Sequence, residues 1–76
     1  MTEQDTVVSQ EKFDEMIKEL ENLKTGRRTE IAENLEYARS LGDLSENAEY
    51  QEARELQAAT EERIRKLEEL VKRAKI

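Results

Sequence analysis

In the second half of this chain, apolar and small residues alternate at intervals of four and three, and this spacing limits the fold more than any other feature. A repeat averaging 3.5 residues puts its members on one face of an α-helix and is typical of coiled coils. The members are Ala53, Gln57, Thr60, Ile64, Leu67, Val71 and Ala74, with Leu56 and Leu70 beside them. The pattern predicts a long helix over about residues 49–75.

Apolar residues recur at helical spacing in the first half as well, and Ser9 is a candidate N-cap before them. The interval Lys24 to Thr29 has no large apolar side chain and contains Gly26, and glycine costs about 1 kcal/mol relative to alanine inside a helix. We therefore predict one helix over about residues 10–41 with a weak or kinked place at Thr25–Thr29, and two separate helices are the alternative. Its apolar stripe comprises Phe13, Ile17, Leu20, Leu23, Ile31, Leu35 and Ala38.

A short connection over residues 42–48 joins these two helices, and Gly42 suits the end of the first one. Short connections favour antiparallel neighbours. Reversal near Leu44 would pair Phe13 with Ala74, Ile17 with Val71, Leu20 with Leu67 and Ile31 with Gln57. The predicted fold is all-α, a long antiparallel two-helix coiled-coil hairpin on the order of 45 Å long, preceded by a flexible lead-in over residues 1–8. So thin a core favours weak self-association.

The composition excludes several kinds of chemistry. With no Cys and no His, the chain has no thiol nucleophile, imidazole base, disulfide or ordinary zinc site. No apolar run is long enough to span a membrane, so we expect a cytoplasmic protein with no membrane partner. A net charge of −6 argues against free-standing nucleic-acid binding. Any chemistry would use carboxylates, and we do not expect an independent enzyme.

Carboxylates are concentrated in the connection. Residues 42–50 contain Asp43, Glu46 and Glu49 and no Lys or Arg. Asp43 and Glu46 are three positions apart, so a helical or turn backbone puts both on one side. Together they form half a Mg²⁺ site, because Mg²⁺ requires about six ligands and another macromolecule would have to supply the rest. The same residues match a capping box, and spacing alone favours that alternative.

Two arginines flank this acidic segment, Arg39 from the first helix and Arg54 from the second. They could contact a nucleic-acid phosphate or simply be solvated, and without further context the second alternative is favoured. Tyr37 and Tyr50 lie near the same end, where either could stack on a base or pack across the hairpin.

The string LGDLSENAEY over residues 41–50, followed by Ala53-Arg54-Glu55, is more specific than any capping rule. It closely resembles the tip signature of the Gre family of bacterial transcript-cleavage factors, specifically the GreA type. The segments from Lys12 to Leu20 and from Arg27 to Ile31 resemble the first helix of that family. The resemblance covers the chain from about residue 8 onward, which corresponds to the N-terminal coiled-coil domain. The resemblance implies a second, FKBP-like domain in the family, and these residues do not extend into it.

This resemblance implies a specific function. Family members insert the coiled coil into the secondary channel of bacterial RNA polymerase and stimulate the polymerase's own cleavage of backtracked RNA. The catalytic tip acids of the family fall on Asp43 and Glu46, which would help hold a second Mg²⁺ in the polymerase active site. The family's basic patch, which contacts the nascent RNA 3′ end, falls on Arg39 and Arg54. The resemblance therefore reverses the preference for solvated arginines.

Two positions depart from the family pattern: Thr29 replaces a frequent Pro, and Ser45 stands where Lys is common. The first change predicts a softer kink, and the second removes a positive charge from the tip. Two further hypotheses remain open at this stage. One is a purely structural helical hairpin whose tip acids are caps, and the other is an inhibitor that occupies the polymerase channel without promoting cleavage.

Overall fold

Two helical arms lie side by side along a rod with a 50 Å long axis. The computed structural model describes residues 6–43 and 46–76, without the side chain of Thr6. The first arm consists of α1 (Gln10–Asn22), a π-helical turn (Leu23–Arg27) and α2 (Arg28–Ser40). The second arm is the single helix α3 (Ala48–Arg73). The predicted all-α antiparallel hairpin is confirmed.

The π-helical turn lies at the place where the sequence predicts a weak point, and the chain is helical on both sides of it. The alternative of two separate helices is therefore wrong. Eight positions separate Leu23 from Ile31, which on a regular α-helix would turn Ile31 about 80° away from the face of Leu23. The extra residue of a π-turn reduces this mismatch to about 20°. The Thr25 hydroxyl also donates to the Glu21 carbonyl at 2.8 Å.

The core is a narrow strip between the arms. Its buried residues are Met16, Ile31 and Ala38 from the first arm and Ala53, Thr60, Ile64 and Leu67 from the second. The sequence correctly predicts six of these positions but omits Met16. It is wrong at Gln57, which is exposed, while Leu56 is half-buried. A strict 3.5-residue repeat gradually moves around the surface of a straight helix, which has 3.6 residues per turn. At this point of α3, Leu56 therefore faces the other arm better than Gln57 does.

At the open end of the rod, two short strands close the hairpin. Strand β1 (Thr6–Val7) pairs in parallel with β2 (Ala74–Lys75), and the Val8 amide donates to the Lys75 carbonyl at 2.8 Å. Thr6 to Val8 are therefore not the flexible lead-in expected over residues 1–8, because backbone hydrogen bonds hold them. Residues 1–5 of that segment lie outside the described residues. Ser9 caps α1, as predicted, by accepting from the Lys12 amide at 3.0 Å.

Ion pairs join the arms along their exposed edges. Arg28 forms a two-pronged pair with Glu61 at 2.7 and 2.9 Å, and Arg63 forms one with Glu19 at 2.9 and 3.1 Å. The hydrogen bonds to these guanidinium groups lower the pKa of both glutamates. Arg28 and Glu61 agree with the predicted antiparallel register to within a residue or so. Such exposed pairs contribute little stability individually, and their main effect is on alignment.

Candidate functional site

The described part of the tip begins where α2 ends. The Leu41 amide donates to the Ala38 carbonyl at 3.0 Å, and the Gly42 amide to the Arg39 carbonyl at 3.4 Å, which tightens the last turn. Gly42 has a φ of 126°, a conformation that side chains with a Cβ rarely adopt. Glycine is thus required at this position, and it directs the chain away from α2 into the acidic segment.

Asn47 determines where the second arm begins. Its side-chain oxygen accepts from the Tyr50 amide at 3.0 Å, which makes it the N-cap of α3. Its side-chain amide nitrogen donates to the Ala38 carbonyl of the first arm at 2.5 Å. The capping box predicted at Asp43 to Glu46 is therefore wrong, because it would require α3 to begin at residue 44 rather than at Ala48. The sequence contains a signal for Asn47: Asn is among the best N-cap residues, and Glu49 places an acid in the first turn after it.

The two acids proposed from the sequence both lie in the segment between the arms. Asp43 and Glu46 are exposed and located between the end of α2 and the start of α3. Within residues 6–43 and 46–76, no group of three or more acidic, His or Cys side chains could hold a metal ion by itself. Carboxylate oxygens are nevertheless the ligands that Mg²⁺ prefers. The chemistry of these two side chains is therefore compatible with a hard divalent cation.

The two flanking arginines converge on one tyrosine. The Arg54 guanidinium donates to the Tyr50 hydroxyl at 3.3 Å and lies 5.9 Å from the centre of its ring. The hydrogen bonds from Arg54 and then Arg39 lower the pKa of the Tyr50 phenol. Because one arginine belongs to α2 and the other to α3, the hairpin assembles a positive cluster that neither arm contains. Both arginines are exposed, and Tyr50 is half-buried.

Tyr37 differs from Tyr50 in its environment. It is 63% exposed on α2, and its carbonyl accepts from the Ser40 hydroxyl at 2.5 Å. The expectation that the tyrosines pack across the hairpin therefore does not hold for Tyr37. No helix of the described residues is both long and apolar enough to cross a membrane.

Comparison with known proteins places this tip in context. A family profile described as "Transcription elongation factor, N-terminal", covering GreA and GreB, matches residues 6–76. The chain is 54% identical over 70 residues to transcription elongation factor GreA of Clostridioides difficile, with 92% of this chain and 44% of the relative covered.

Two further relatives match over a similar share of the chain. The GreA proteins of Acetivibrio thermocellus and Bacillus cytotoxicus are each 47% identical over 75 residues, which is 99% of this chain and 47% and 48% of theirs. The chain thus spans about half the length of the curated relatives it matches. No solved structure gives a significant match. On the profile match and these identities, the chain belongs to the N-terminal domain family of the GreA and GreB transcription elongation factors.

Proposed function

We propose that this chain acts on bacterial RNA polymerase and stimulates the polymerase's own cleavage of backtracked RNA through Asp43 and Glu46. The main observation in support of this proposal is that one residue of the tip caps the second arm while two others present exposed carboxylates. Asn47 rather than either acid is the N-cap of α3, and both acids are exposed at the end of a 50 Å rod. This argues against the purely structural hairpin, in which the acids serve only as caps.

The rod and the acids have separate roles in this proposal. The rod is narrow, with extents of 25 and 12 Å across its long axis, which suits insertion into a channel. Asp43 and Glu46 would then provide oxygen ligands for one face of a Mg²⁺ that the polymerase holds with its own groups. When bound, that ion would lower the pKa of a water and neutralise charge on the phosphodiester. The hairpin itself is not an enzyme, since it supplies only part of the site.

The arginine cluster has a positioning role in the same proposal. Arg39 and Arg54 bring positive charge to Tyr50, close in sequence to the acids. Such a cluster can hold a phosphate of the extruded RNA 3′ end once the polymerase has captured the transcript. A net charge of −6 works against free RNA binding but not against contact within a complex.

The test is stimulation of RNA cleavage in a stalled, backtracked elongation complex with Mg²⁺, at saturating concentrations of the chain. The expected result is release of short 3′ RNA fragments, reduced at least tenfold by Asp43→Asn or Glu46→Gln. Glu52→Gln is the matched control, because Glu52 is an exposed acid on α3 outside the acidic segment. Equal stimulation by all four proteins would refute the role of the tip acids. Competition for the channel without cleavage would instead support the inhibitor.

A further inference from the structure

We infer that Asn47 is a positioning residue for the tip acids, an inference that rests on the proposed function. Its carboxamide joins the two arms at this end through a side-chain hydrogen bond to the Ala38 carbonyl at 2.5 Å. One half of the carboxamide caps α3 and the other half binds the Ala38 carbonyl. Asp43 and Glu46 both lie in the stretch of chain between Ala38 and Asn47, so this bond closes that stretch at its base.

The Ala38 carbonyl, which accepts this hydrogen bond on the first arm, is held in place. Ala38 is 2% exposed and packs in the core strip, so its carbonyl cannot move without disturbing the interface. The same carbonyl accepts from the Leu41 amide at 3.0 Å, and a carbonyl oxygen has two lone pairs, so both bonds can be made together. Glu46 is joined directly to Asn47 by a peptide bond. Fixing Asn47 therefore fixes the backbone from which the Glu46 carboxylate extends.

The two functions of Asn47 can be separated by substitution. Aspartate and serine both accept a hydrogen bond from the Tyr50 amide and are good N-caps. An ionised aspartate has no hydrogen to donate to the Ala38 carbonyl, and a serine hydroxyl is too short to make both bonds. Asn47→Asp and Asn47→Ser thus keep the cap and lose the bond between the arms. Because only aspartate adds a charge, an effect shared by both variants is not an effect of charge.

The first measurement needs no polymerase. Amide order parameters of Asp43 and Glu46 are measured by NMR relaxation in the unaltered chain, in both Asn47 variants and in Ser9→Ala. The control Ser9→Ala removes the cap of α1 at the opposite end of the rod. We expect lower order parameters at both acids in the two Asn47 variants only. Unchanged values in these variants overturn the inference.

The second measurement links this order to cleavage. A displacement of about 1 Å can cost up to about a hundredfold in rate. We expect the maximal cleavage rate to fall roughly tenfold in both Asn47 variants, with the half-saturating concentration of chain unchanged and Ser9→Ala unaffected. Lower order parameters with an undiminished cleavage rate overturn the positioning role. No cleavage with the unaltered chain overturns both the proposed function and the positioning role. The NMR comparison would in that case still test whether the bond between the arms orders the two acids.

Discussion

Leu67 provides the most direct test of the narrow core, because it is 1% exposed and is the largest fully buried side chain among the described residues. Leu67→Ala removes about three carbon groups worth about 0.8 kcal/mol each, or about 2.5 kcal/mol before any cavity term. The cavity term is small here, since a gap between only two helices can collapse or fill with solvent. Alanine is the best helix former, so a change in helix propensity does not contribute to the loss.

The matched control is Leu70→Ala, which makes the same chemical change at a half-buried position one turn further along α3. It should cost about half as much, roughly 1 kcal/mol. For a domain of this size the two losses correspond to falls in Tm of roughly 10–20 °C and 4–8 °C. Thermal unfolding followed by circular dichroism measures both.

Measurements at several protein concentrations separate this effect from self-association, which would make Tm depend on concentration. Should Leu67→Ala prove wholly unfolded, Ile64→Val is the milder change. Ile64 is 2% exposed, and the substitution should cost about 0.5–1.5 kcal/mol. Equal losses for the alanine variants at positions 67 and 70 would refute the burial argument.

Three other positions give independent tests. A Cβ at Gly26 would meet nothing within 4 Å, so Gly26→Ala should stabilise the chain by about 0.5–1 kcal/mol, whereas Gly42→Ala should destabilise it by about 1–2 kcal/mol because of its positive φ. Parallel denaturant titrations check this, and the reverse order would contradict it. In a Tyr37→Phe background, the absorbance of the Tyr50 phenolate should titrate below pH 10, and Arg54→Met should raise that pKa. An unchanged pKa in that variant would rule out the Arg54 hydrogen bond as the main cause.

The arms were predictable from sequence because apolar periodicity is a local signal that a helix must obey. The same signal was less reliable at single positions. Gln57 fits a 3.5 repeat but is exposed, whereas the neighbouring Leu56 is half-buried. Met16 is buried but absent from the predicted stripe, although it lies three residues after Phe13 and four before Leu20, a spacing that is equally helical. When two apolar stripes overlap on one helix, only the position of the helix that packs against them shows which residues are buried.

The ends and the tip were harder to predict for a different reason. Pairing of Thr6 with Ala74 joins segments at opposite ends of the chain. Thr6, Val7 and Val8 are all β-branched, but a run of three residues is too short to predict a strand. At the tip, Asp43 and Asn47 both have side chains that can cap a helix, and spacing alone favoured the wrong one. The charge pattern around the connection points to the acids and the arginines, whereas the family resemblance supplies their chemical roles, which are still predictions that the cleavage experiments address.

The bond between Asn47 and Ala38 also bears on the order in which the hairpin assembles. It spans nine positions, whereas the β1–β2 pairing closes a loop of roughly 70 residues, and the entropic cost of closure differs by about 2 kcal/mol. Folding should therefore nucleate at the tip and proceed toward the open end, with the strand pair forming last. The end of the rod proposed to reach the polymerase active site would then acquire its structure first, independently of the end where β1 and β2 pair.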